Sequence, residues 1–135
     1  MLLYFIRMKK VLIVDDSYLI RQSLQRAFNH YPVEVSLASN GADAMTKIYS
    51  DLFDLCLLEV CLPDVSGIEV MRRIRSVSPA TRIAIMTAPP ISDDSAGFVS
   101  SEANYFIVLQ RILYRQTEMA SCNIDFIKAR ERGPE

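Results

Sequence analysis

At 135 residues, half of them apolar, the chain has enough material to cover a central sheet on both faces, and it suits a single core. Fifteen Lys and Arg stand against sixteen Asp and Glu, a formal charge of −1, so no global field draws it to nucleic acid or to an anionic membrane. Three cysteines, Cys56, Cys61 and Cys122, have no ligand spacing and no neighbouring His. They argue against a disulfide framework or a zinc site and suit small apolar fillers in a reducing cytoplasm.

The first apolar run, residues 1–6, is too short for a signal-peptide core or a membrane span, and basic residues follow it directly. Met8 makes a natural start, so residues 1–8 are read as an extension of the domain. Residues 11–14 form a β-branched apolar run that stops at Asp15 and Asp16, the pattern of a strand buried on both faces. Ser17 then caps a helix in which Ile20, Leu24, Ala27 and Phe28 recur at helical spacing, and Pro32 closes it. A second strand is expected over residues 33–38, a turn at Asn40 and Gly41, and a helix over 42–49 with Met45, Ile48 and Tyr49 turned inward.

Residues 53–60 are the most apolar strand, which predicts a central place in a parallel sheet, and the run closes on Glu59. Ser66, with Glu69 three residues on, reads as a capping box for a helix whose Ile68, Met71 and Ile74 face the sheet, stopped by Ser78 and Pro79. On that helix Arg72, Arg73 and Arg75 read as the wet face. A fourth strand ends at Thr87. A weak fourth helix is expected over 92–102, a fifth strand over 105–108, and one long last helix from Leu109 with a frayed polar tail at 129–135. Five βα units in succession predict an α/β fold with a doubly wound, five-stranded parallel sheet, and place the functional crevice at the carboxyl ends of the strands.

Taken together, the run Val11 to Ser17 with its acidic pair, Glu59 followed at fixed offsets by Pro63 and Gly67, Met86-Thr87-Ala88 and Tyr105 resemble the receiver domain of two-component response regulators. The resemblance spans residues 9–128 and implies the flavodoxin-like (βα)5 fold of the chemotaxis regulators. It implies that Asp15, Asp16, the residue at position 59 and the carbonyl of Cys61 hold a magnesium ion, and that Thr87 and Tyr105 form the switch. The partners it implies are a sensor histidine kinase and downstream signalling proteins.

Two positions depart from the family pattern. Glu59 stands where the phosphate-accepting aspartate belongs, and Val108 stands where a lysine belongs, followed by Leu109 and Gln110. The expectation is therefore a single-domain, cytoplasmic phosphorelay receiver, not an enzyme, that docks to a protein without normal phosphorylation and binds magnesium weakly. Two alternatives remain open: a working phosphoacceptor that uses Glu59 with magnesium, and a magnesium-dependent phosphohydrolase. The expected contact surface for a partner or a self-dimer is the fourth helix, fifth strand and fifth helix, with Phe98, Val99, Phe106, Gln110, Tyr114 and Arg115 as candidates. No basic recognition helix is present for nucleic acid. His30 and Asp64 are read as ordinary solvated residues.

Overall fold

The computed structural model describes residues 7–87, 103–111 and 124–131. In chain order they form β1 (Lys9–Val14), α1 (Tyr18–Phe28), β2 (Val33–Ala38), α2 (Gly41–Ser50), β3 (Leu55–Glu59), α3 (Gly67–Val77), β4 (Arg82–Thr87), β5 (Tyr105–Arg111) and β6 (Ile124–Glu131). The sheet order is β2-β1-β3-β4-β5-β6, parallel throughout except for the β5–β6 pair. This is the flavodoxin-like α/β arrangement.

The central strands are apolar because both of their faces are covered. From β1, Leu12 and Val14 enter a cluster with Ala44, Met45 and Ile48 of α2 and Val70, Met71 and Ile74 of α3. Val11 and Ile13 enter the opposite cluster with Ile20 and Leu24 of α1, Leu57 and Met86. Each such side chain contributes about 1.5–3 kcal/mol when fully buried. At the edge, β2 needs less apolar surface, and its Glu34 is exposed while Val33, Val35 and Leu37 are half-buried.

The helices begin where the cap residues place them. Ser17 Oγ accepts from Ile20 N, Asn40 Oδ1 from Asp43 N at 2.8 Å, and Ser66 Oγ from Ile68 N at 3.2 Å. This last bond differs from the expected box, since Ser66 takes the amide two residues on and Glu69 accepts from Arg73 Nε at 3.3 Å. On α2 the inward stripe is Ala44, Met45 and Ile48, whereas Tyr49 is 70% exposed. Ala27 is exposed as well. Arg75 does not lie on a wet face; its guanidinium donates to Asn104 Oδ1 at 2.6 Å.

The largest correction concerns the end of the chain. The expected fifth helix is replaced at Leu109 and Gln110 by the continuation of β5, and Ile124–Glu131 return as an antiparallel strand, so the sheet has six strands among the described residues. Residues 129–131, expected to fray, lie in β6. The apolar residues of this stretch fit helical and extended spacing alike, and a short apolar run cannot decide between them. The expected fourth helix over 92–102 lies outside the described residues. No described helix is long and apolar enough to cross a membrane.

Candidate functional site

Asp15 follows the last residue of β1 and is 1% exposed. Three bonds hold its place: its N–H donates to Ala38 O at 3.1 Å, its Oδ1 accepts from Ser17 N at 2.8 Å, and its carbonyl accepts from Arg21 Nη1 at 2.7 Å. The side-chain bond is an Asx turn, so the acidic residue prepares the entry to α1 that Ser17 then caps. Asp16 is exposed.

Glu59 closes β3, half-buried and paired in register with Met86. Since Val14 pairs with Leu58, the next residues along each strand are Asp15 and Glu59. Burial and the neighbouring Asp15 charge push the Glu59 carboxyl up to about 7, and the Cys61 N–H, which donates to Glu59 Oε1 at 3.5 Å, opposes the shift. Like charges this close disfavour each other's ionised form, so Glu59 takes up a proton well above the usual carboxylate range.

The loop after β3 is drawn tight behind Glu59. Val60 N donates to Met86 O at 3.2 Å, Gly67 N donates to Val60 O at 2.8 Å, and Cys61 bridges Ser66. Gly67 approaches so closely that a Cβ there would lie 2.1 Å from the carbonyl oxygen of Glu59. The loop is also tied sideways, because Asp64 Oδ1 and Oδ2 accept from Gly41 N and Ala42 N at 2.8 and 2.9 Å. Those two amides hold its carboxyl below the usual carboxylate range. Asp64 is thus a second cap on α2, not a merely solvated residue. Neither it nor Arg21 was found from the sequence, though a base one turn after an N-cap and an acid in a Pro-containing loop were visible signals.

Cys61 is an exposed free thiol, which corrects its reading as a buried filler; Cys56 is buried, and burial pushes its thiol up to about 12. His30 is exposed, as expected. Thr87 closes β4, half-buried, and pairs in register with Val108. On its other side Val108 falls at the register shift between β5 and β6. Tyr105 pairs with Ala84, three residues before Thr87, and its hydroxyl accepts from Arg82 Nη1 at 2.5 Å, with the guanidinium 5.8 Å over the ring. Phe106 and Gln110 are placed in β5 by their backbone, which moves Gln110 from the expected helix to a strand. Phe98, Val99, Tyr114 and Arg115 lie outside the described residues.

The structure therefore brings Asp15, Glu59, Thr87 and Val108 to one end of the sheet, the carboxyl end of the parallel strands. Among the described residues no group of three or more His, Cys, Asp and Glu side chains is arranged to hold a metal ion. Among the described residues the carboxyl groups do not form a ready-made magnesium cage.

Comparison with known proteins agrees with this geometry. The response regulator receiver domain model matches residues 11–110. The response regulator MprA of Mycobacterium avium (strain 104) is 36% identical over 112 residues, covering 78% of this chain and 48% of that protein. MprA of Mycobacterium tuberculosis (strain CDC 1551 / Oshkosh) is 35% identical with the same coverage. The chain spans about half the length of the curated relatives it matches. Among solved structures, a CheY-like receiver domain protein from Methanospirillum hungatei JF-1 superposes with a TM-score of 0.70 at 26% identity, covering 76% of this chain and 82% of that one. TrrA of Thermotoga maritima, in complex with Mg(2+)-BeF, gives 0.67 at 30% identity, covering 79% and 90%. The chain belongs to the response regulator receiver domain family, the receivers of two-component signalling.

Proposed function

We propose that this receiver signals by docking to a protein partner and is not phosphorylated in the normal way. What supports the reading is the Glu59 carboxyl, which closes β3 where the family pattern expects the phosphate-accepting aspartate, and which burial and Asp15 push up to about 7. A carboxyl that keeps its proton is a poor nucleophile. The extra methylene of glutamate displaces the attacking oxygen by about 1 Å, which costs about a hundredfold in rate. Valine at position 108 in place of a lysine removes a charge-stabilising donor, a further loss on the order of 10²–10³.

Magnesium binding through Asp15, Asp16, Glu59 and the carbonyl of Cys61 is weak on this reading, because it has to displace the Glu59 proton. The same pKa favours a second reading, a phosphoacceptor that works when Glu59 is ionised above about pH 7. The partner is a sensor histidine kinase or a downstream signalling protein in the cytoplasm, met through the surface around β5, which also suits self-association. Nucleic acid, membrane and catalytic turnover have no place in this scheme. Incubation with acetyl phosphate and magnesium at about pH 6.5 and about pH 8, read by intact mass, separates the two readings. No added phosphoryl group at either pH is expected; a phosphorylated species at the higher pH would establish Glu59 as an acceptor.

A further inference from the structure

β5 opens on a side chain that takes the place of a backbone carbonyl. Asn104, the residue before β5, donates its N–H to Ile83 O at 3.0 Å, and its Oδ1 accepts from Ile83 N at 2.9 Å. Ile83 is fully buried, so its N–H has to find a partner inside the protein. The same Oδ1 accepts from Arg75 Nη2 at 2.6 Å, a short charge-assisted bond that reaches across from the last turn of α3. Two donors converging on one atom require an oxygen there, so the side-chain amide of Asn104 can face only one way.

This bonded pair stands at the start of a register that ends at the candidate site. The fourth residues on from Ile83 and Asn104 are Thr87 and Val108, which are paired across β4 and β5. β3 opens by the same device, with the Asp54 side chain bonded to Lys10 N, and the fifth residues on from that pair are Glu59 and Asp15. Each side-chain bond at the amino end of the sheet is therefore in line with one pair of site residues at the carboxyl end. On its other side β5 has no single frame, because its pairing with β6 shifts register between Ile107 and Leu109.

We propose that Arg75 and Asn104 are positioning residues for the site, which together set the register of β5 and hold position 108 opposite Thr87. The tie also gives α3 a second task. Its first residue, Gly67, donates to Val60 O behind Glu59 and its last turn ends on Asn104, so one helix runs from the loop after β3 to the entry of β5. This rests on the proposed function only in taking Thr87 and Val108 to border the site, so labelling of Glu59 by acetyl phosphate would leave it standing.

Amide hydrogen exchange of the full chain, followed residue by residue by NMR, tests the tie. Asn104→Ala removes the acceptor, and the amides of Ile83, Thr87 and Val108 should then exchange about tenfold faster, while those of Leu12 and Leu57 in the β1–β3 pair keep the parent rate. Asn104→Asp keeps an oxygen for both donors and should keep the parent rates throughout. Arg75→Met keeps an apolar stem without the guanidinium and should accelerate the same three amides about threefold; it decides alone if Asn104→Ala does not fold. Acceleration confined to Ile83 would overturn the proposal, because the bond would then have no bearing on position 108. So would equal acceleration of Leu12 and Leu57, an Asn104→Asp chain that exchanges as fast as Asn104→Ala, or an Arg75→Met chain at the parent rates.

Discussion

Glu59 and Asp15 occupy matching positions at the ends of β3 and β1, and burial together with the Asp15 charge pushes the Glu59 carboxyl up to about 7. The unfolded chain releases the Glu59 proton near 4.5, and the folded chain keeps it to about 7. A raised carboxyl pKa contributes stability that is complete below the unfolded value and is lost as pH rises through the folded one. The melting temperature should therefore fall between about pH 5 and about pH 8, and Glu59→Gln should flatten that slope and melt higher than the parent at the alkaline end. The lowered carboxyls of Asp51, Asp54 and Asp64 act in a different window, since their stabilisation is lost only as pH falls below their usual 3.8. Calorimetry across the range distinguishes the two groups.

If magnesium binds as proposed, it competes with the Glu59 proton, which makes the metal's effect depend on pH. A ligand stabilises the fold in proportion to the logarithm of its concentration over its dissociation constant. Millimolar magnesium should leave the melting temperature unchanged at about pH 6 and raise it at about pH 8, and chelation should reverse the rise. An equal shift at both values would mean that the cation does not displace the proton.

Restoring aspartate should not be enough to restore labelling. Glu59→Asp returns the nucleophile to its place, but the donor missing at position 108 still costs on the order of 10²–10³ in rate. Glu59→Asp combined with Val108→Lys should be labelled by acetyl phosphate faster than the single variant by about that factor. A single Glu59→Asp variant as fast as the double would remove the argument from Val108. Melting curves of both variants belong beside the rates, since a lysine brought into a sheet interior carries a desolvation cost.

Gly67 is where the packing around Glu59 is least forgiving. Its Cβ would meet the Glu59 carbonyl oxygen at 2.1 Å and the Val60 Cα at 2.9 Å, both of them backbone atoms. Gly67→Ala should destabilise the fold by about 1–3 kcal/mol, read as a lower midpoint in urea at an unchanged slope. Its effect should extend to the site, displacing the Glu59 pKa that NMR titration would follow.

The sequence revealed the first four strands and three helices because their apolar residues recur at clean periods between strong stops such as Pro32, Pro63 and Pro79. Tyr49 was misjudged because Ala44, small and easily overlooked, takes the buried position on α2 while the larger residue faces water. The last segment failed for a different reason. Ile124 and Ile127 satisfy helical spacing when read with Ala120, yet the pairing of Ile124 and Phe126 with β5 is a contact between distant residues, which no local pattern displays. The site shows the same division. Asp15 and Glu59 announce themselves as charges ending apolar strands. Arg21 and Asp64 act instead through backbone atoms, Asp15 O as acceptor and the Gly41 and Ala42 amides as donors, and a backbone partner leaves no mark of its own in a sequence.

The β1–β3 seam is fastened at its amino end, where Asp54 N donates to Lys10 O at 2.9 Å while Asp54 Oδ2 accepts from Lys10 N at 2.9 Å. A one-residue slip between the two strands would turn every buried side chain to the wrong face, and it would have to break both of these bonds at once. In mechanical terms the middle of the sheet is a rigid spar. A displacement at the Glu59 end of β3 is not readily absorbed by sliding along this seam, and its direct way sideways is through Met86, the register partner of Glu59, into β4 and on to β5.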